Sequence, residues 1–129
     1  GFTSFDFLYN NYFETQGVAV CGSRGWLFEK GEAHDQKILA RETLRLEQSL
    51  SLAADFPGEK IAFLHYPPIY REERTQGILD VLHRLGVKRC FYGHIHAAGC
   101  AYALDGIEEG IEFHLISSDY LAFKPYRII

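Results

Sequence analysis

Three of the six histidines in this 129-residue chain stand where they could do chemistry. His65 ends the run Lys60-Ile61-Ala62-Phe63-Leu64-His65. His94 and His96 follow the run Val87-Lys88-Arg89-Cys90-Phe91-Tyr92, within Gly93-His94-Ile95-His96. A neutral imidazole nitrogen binds zinc, iron, manganese and similar ions at about 2.0–2.2 Å. Two histidines separated by one residue in a loop can point at two different ions or flank one. The glycine ahead of them lets the backbone turn sharply and come close to a metal. A single histidine after a strand is more often just a polar end residue. The metal-ligand reading rests on the joint pattern: strand, His-x-Pro-Pro, helix, strand, Gly-His-x-His.

Arg24 lies between Gly22 and Gly25 in an expected tight strand-end loop. A guanidinium there could reach a substrate phosphate as a fork-shaped donor, although a solvated loop cation is the plainer account. His34 and His83 read as surface residues. His114, beside Glu112 on a strand, reads as a packed or hydrogen-bonded structural histidine. Tyr66 and Tyr92 flank the proposed ligands and can shape a pocket or simply pack. Cys21, Cys90 and Cys100 are odd in number and match no disulfide scaffold or zinc knuckle. They read as reduced, small core residues of a cytoplasmic protein, with Cys100 the one near enough to His96 to matter.

The elements that must position these residues follow from the pattern. Phe2 to Tyr9 is aromatic-rich and predicted as a strand or irregular edge, with a turn at Asn10 and Asn11. Gly17 to Cys21 is predicted as a strand, and Trp26 to Phe28 as extended. The clearest helix runs from Asp35, as N-cap, to Ala54, with Leu39, Thr43, Leu46, Leu50 and Ala53 forming one buried stripe. Glu42 and Arg45, three apart, are expected to pair on its exposed side. Lys60 to His65 reads as a buried strand stopped by Pro67-Pro68. Thr75 to Leu85 reads as a second helix ended by Gly86, and Val87 to Tyr92 as the next strand. A hairpin is expected from Gly99 to Leu104 and Ile111 to Ser117 about a turn at Asp105-Gly106, with a short last strand at Tyr126 to Ile129.

The middle of the chain is therefore a βαβ unit whose two strands should be parallel neighbours. Ligands in open α/β sheets sit beyond the carboxyl ends of the strands, so parallel pairing would deliver His65 and the His94/His96 pair to one edge. The fold class is α/β: a mixed sheet with a parallel βαβ core, two main helices and C-terminal antiparallel strands, in one domain over residues 1–129. A content of 47% hydrophobic and 15% aromatic residues can fill a core. A net charge of -4 and a pI of about 5.8 argue against a nucleic-acid backbone or an anionic membrane as the main partner. No apolar run is long enough for a membrane helix, and no signal peptide is visible.

The two histidine motifs, together with His65-Tyr66-Pro67-Pro68, resemble the calcineurin-like metallophosphoesterases. That family carries, in order, Asp-x-His, Gly-Asp-x-x-Asp, Gly-Asn-His-Asp/Glu, a lone His and Gly-His-x-His. The stretch from Gly22 to Trp26 and the helix after it look like a bacterial subgroup. The resemblance implies a partial metallophosphoesterase sandwich and hydrolysis of phosphomono- or phosphodiesters at two divalent ions of manganese, iron or zinc type. It implies that His65 and His94 bind one ion and His96 the other.

The sequence also departs from that family. None of Asp6, Asp35, Asp55, Asp80, Asp105 and Asp119 lies in an Asp-x-His or Gly-Asp-x-x-Asp motif, and no Gly-Asn-His exists. The bridging carboxylate, the amide ligand and the family's catalytic histidine are missing. Imidazoles alone cannot offset two dications. The expectation is a C-terminal portion that binds at most one ion tightly and turns over poorly alone, its carboxylates supplied by a missing N-terminal half of the same domain. Gly1 in place of Met, and the absence of any Met, fit a truncation. Half a sandwich would expose a core face and a strand edge and would self-associate. The competing readings are a non-catalytic metal- or phosphate-binding α/β module and an interaction domain with structural histidines.

Overall fold

A computed structural model describes residues 1, 3–27 and 33–129. Its centre is a six-stranded sheet. The strands are β1 (Phe13–Thr15), β2 (Val18–Ser23), β3 (Glu59–Leu64), β6 (Arg89–Tyr92), β7 (Gly106–Glu108) and β8 (Ile111–Leu115). A two-stranded hairpin, β4 (Ile69–Tyr70) with β5 (Glu73–Arg74), stands apart. The spatial order is β1-β2-β3-β6-β8-β7. Strands β2, β3, β6 and β8 run parallel, while β1 and β7 close the two edges antiparallel. The helices are α1 (Ala33–Leu52) and α2 (Gln76–Arg84). The α/β class, the two helices and the parallel neighbours β3 and β6 are as the sequence predicts.

The period-2 alternation of the strands sorts the core into two clusters. Cys21, Ala62, Leu64, Cys90, Tyr92, Phe113 and Leu115 face the helices and pack with Leu46, Leu50 and Ala53 of the α1 unit and Ile78, Leu79 and Leu82 of α2. Val18, Ile61 and Phe91 face the other way, joined by the partly buried Val20, Phe63, Ile116 and Ile128. The Phe63 and Phe91 rings stack there at 5.1 Å. Helices therefore cover one face of the sheet, and the C-terminal tail covers part of the other.

The local differences from the expected elements have physical reasons. Asp35 is not an N-cap: it lies in the first turn of α1, where its carboxylate accepts a bond from Trp26 Nε1 at 3.2 Å. Glu42 is not on the solvent side but 1% exposed, because its pairing with Arg45 at 2.8 Å points inward rather than out. Strand β2 runs on through Gly22 and Ser23, where the sequence predicts a loop. Gly22 permits this, since a Cβ there would stand 2.1 Å from the Phe63 carbonyl oxygen on β3.

Residues 97–102 form a 3-10 helix rather than a hairpin strand. Gly99 packs so tightly on Ile95 and Tyr70 that a Cβ would approach them at 3.1 and 3.2 Å. The hairpin is instead β7 to β8, turning at Glu109 and Gly110, whose φ angles of 49° and 79° suit a tight two-residue turn. Strand β8 then pairs parallel with β6, so it joins the parallel core as well as the C-terminal antiparallel pair. No strand forms over residues 3–9 or 126–129, and Phe2 and Phe28 lie outside the described residues. Among the described residues no helix is long and apolar enough to cross a membrane.

Candidate functional site

Strands β3 and β6 are in register from Ile61↔Arg89 to Leu64↔Tyr92, so both end at the same rim. The next residues are His65 on one strand and Gly93-His94 on the other. The pairing continues one step further, with Gly93 N–H donating to His65 O at 3.2 Å. The imidazoles that follow meet: His94 Nδ1 lies 3.2 Å from His65 Nε2, with ring centroids 5.0 Å apart. Both histidines are exposed at the rim. Tyr66 leans over the pair, 4.3 Å from the His94 ring and 4.8 Å from His65.

The backbone carries strain here. The left-handed residue is His94 itself, with φ 69°, not the glycine before it. Ile95 N–H reaches back to Gly93 O at 2.8 Å and closes a three-residue turn around His94. Ile95, 6% exposed, plugs the loop into the core. Strain of this kind, held by packing, is common at ligand-binding positions.

His96 leaves the same loop in another direction. Its Nδ1 meets Asp119 Oδ1 at 2.8 Å. Asp119 also accepts Ala97 N–H at 2.8 Å and Tyr120 N–H at 3.0 Å. The Ala97 amide, then His96, hold its carboxyl well below the usual carboxylate range, at about 2. The His94 imidazole pKa is pushed down by partial desolvation, then by the neighbouring His65 and His96, which favours its neutral form. Asp119 was missed as a site residue because it belongs to no motif. The rule that located His65 and His94 applies equally to β8, whose end leads into Ser117-Ser118-Asp119.

Arg24 sits one strand over. Its carbonyl accepts both His65 N–H and Tyr66 N–H, at 3.0 and 2.9 Å. Its guanidinium lies 4.7 Å above the Trp26 ring and 3.9 Å from Glu42. Trp26 in turn packs on Tyr66 at 4.9 Å. His83 Nε2 lies 3.3 Å from Glu109, and the His114 ring nitrogens lie 3.1 Å from Asp105 and 2.7 Å from Glu112, so both rings are held by carboxylates away from the rim. Cys21 and Cys90 are fully buried, and Cys100 donates weakly to Ile95 O.

Two nitrogens bound to one ion at about 2.1 Å, roughly 100° apart, are separated by about 3.2 Å. The His65–His94 pair has the spacing of two neighbouring ligands on one ion. A carboxylate on one ring nitrogen leaves the other as the ligand atom, and Asp119 does this for His96. Among the described residues, however, no three or more His, Cys, Asp or Glu side chains group as a metal cage. The donors fit one side of a metal centre. No family model, curated protein or solved structure gives a significant match to the chain.

Proposed function

We propose that this chain is the C-terminal part of a metal-dependent phosphoesterase of the calcineurin-like kind, acting on phosphomono- or phosphodiesters. The observation that carries the reading is the 3.2 Å approach of His65 Nε2 and His94 Nδ1 at the carboxyl ends of adjacent parallel strands. His65 and His94 would hold one ion and His96 Nε2 would face the other, with manganese, iron or zinc as the candidates. Divalent ions in such a site supply Lewis-acid stabilisation of the attacking and leaving oxygens in phosphoryl transfer. Asp119 keeps the His96 proton on Nδ1. Tyr66 screens one side of the pair from water. Arg24 provides a cation for the substrate.

The carboxylate ligands would come from a preceding portion of the same domain. The sheet face that carries Val20, Phe63 and Ile116, all only partly buried, supports this, because a packed partner there would complete two-sided burial. In its absence the same face and the short edge strand β1 favour self-association.

The test is titration with zinc or manganese together with aryl phosphate hydrolysis. Both are run on the chain alone and on the chain preceded by a segment bearing the acidic motifs. The expected result is at most one tight ion and poor turnover alone, with turnover restored in the longer protein. Unchanged metal binding in His65→Ala and His94→Ala would sink the reading. A second reading is a non-catalytic metal- or phosphate-binding module, which needs only the His65–His94 pair or the Arg24 cation and no acidic half. Stoichiometric binding without turnover in the longer protein would select it.

A further inference from the structure

The Glu42 carboxylate is 1% exposed, yet one of its oxygens, Oε1, faces three guanidiniums: Arg45 at 2.8 Å, Arg41 at 3.3 Å and Arg24 at 3.9 Å. Among the described residues, one carboxylate for three arginines leaves an excess of two positive charges at this point. Among the described residues the other oxygen, Oε2, has no partner, and neither does Asn10 Oδ1. The arginines are therefore not consumed by their acid, and they remain 31–53% exposed. Arg24 and Arg45 line a cavity of about 140 Å³ together with Glu42, Leu8, Tyr9, Asn10 and Ser23, so the two guanidiniums outnumber the one carboxylate in its wall. That volume suits one phosphate- or carboxylate-sized group.

Both cationic planes are fixed. Arg45 lies 5.3 Å from the Tyr9 ring centre and donates to Tyr9 Oη at 3.4 Å, and Arg24 lies over Trp26. Planar, pre-set forks are the usual means of recognising an oxyanion. The cavity is at the carboxyl end of β2, the parallel neighbour of β3, and the Arg24 carbonyl holds the His65 amide. Adjacent strands lie about 4.8 Å apart, so a molecule at the histidine pair can extend one strand over into the cavity.

We infer that Arg24 and Arg45, with Arg41 adding charge, form an oxyanion subsite beside the histidine pair, and that the substrate is a small phosphoester with a second anionic group. The substrate statement rests on the phosphoesterase reading; the subsite does not.

Trp26, the single tryptophan, lies beneath Arg24 and reports on it. Binding of inorganic pyrophosphate, malonate and inorganic phosphate is followed by its emission in the metal-free chain, with chelator present. Pyrophosphate should bind saturably, with affinity falling as salt rises. Arg24→Gln and Arg45→Gln should each weaken it by about tenfold or more, and Arg24→Lys should weaken it nearly as much, because the fork is lost. His94→Ala should leave it unchanged. Malonate binding as well as pyrophosphate would assign the second group as a carboxylate, and weaker malonate binding would assign it as a phosphate.

Arg45→Gln could disturb the Glu42 pairing and unfold the chain. Arg24→Gln breaks the longest of the three Glu42 contacts and the Trp26 stack, so with an unchanged melting temperature, and with binding read by calorimetry in place of emission, it carries the test alone. No saturable binding, or equal affinity in a folded Arg24→Gln protein, overturns the subsite. Binding abolished by His94→Ala overturns it too, by placing the anion at the histidines. Loss of metal binding with pyrophosphate binding intact would instead remove the phosphoesterase reading and leave the subsite.

Discussion

Asp119 reaches across from the segment after β8 and fixes His96 through a 2.8 Å contact between Oδ1 and Nδ1, while its other oxygen holds the Ala97 amide. One carboxylate thus sets both the direction of the imidazole and the turn that carries it. Asp119→Asn should move the proton preference of His96, seen in nitrogen chemical shifts of the ring, and, on the proposed metal-binding reading, reduce metal affinity by about 10–100-fold. An unchanged His96 tautomer in the variant would show that Asp119 only closes the loop.

The pair Glu59–Arg89 gives a pH signature. Arg89 Nε and Nη2 donate to Glu59 Oε1 and Oε2, each at 2.7 Å, joining β3 to β6. That bidentate bond with Arg89 lowers the Glu59 pKa. A carboxyl depressed in the folded state adds stability above its unfolded pKa, about 4.3, and loses it as pH falls through the lower folded value. Glu59→Gln should therefore lower the melting temperature by about 2–5 °C at pH 7. The gap to wild type should shrink below about pH 4. A gap that stays constant down to acid would mean that packing, not charge, is lost in the variant.

How much of this was legible beforehand differs by element. The parallel β3–β6 unit could be read because Lys60-Ile61-Ala62-Phe63-Leu64 and Arg89-Cys90-Phe91-Tyr92 are apolar runs bounded by proline and glycine, with a periodic helix between them. The meeting of His65 and His94 followed from that register alone. Residues 97–102 could not be read: their small side chains fit a strand pattern as well as a turn, and the tight packing of Gly99 on Ile95 decides the matter from outside the segment. Glu42 was misplaced for a similar reason. Helical spacing marks it as exposed, and the arginines Arg41 and Arg45 on the same helix, with Arg24 from the segment after β2, offset the cost of its burial. Asp119 left no local signal, since its role arises from a loop that follows β6 meeting a segment that follows β8.

Core packing gives a stability prediction independent of any function. Leu50 is fully buried on α1 within the main cluster, where α1 lies against β2. Leu50→Ala should cost about 2–5 kcal/mol, read from denaturant unfolding. Leu52, two residues on and 56% exposed, should tolerate alanine within about 0.5 kcal/mol. Equal effects at the two positions would mean that α1 does not dock by the face described.

The three cysteines should separate by reactivity. Burial pushes the Cys21 thiol up to about 11 and that of Cys90 further still, and both side chains are sealed from solvent. Cys100 is half-buried in the 3-10 turn after His96, and slight burial followed by the nearby Asp119 charge raises its pKa as well. A thiolate reagent at pH 8 should therefore label Cys100 alone in the native chain, slowly, and all three in denaturant. Because Cys100 bonds Ile95 O in the loop that holds the histidines, its labelling rate also measures how often that loop opens. A ligand that bridges His94 and His96 should slow the labelling, whereas one seated at Arg24 and Arg45 should leave it unchanged. Rapid labelling of Cys90 would mean that the sheet itself opens, and the rim geometry that places His65 against His94 would then be only one of several states.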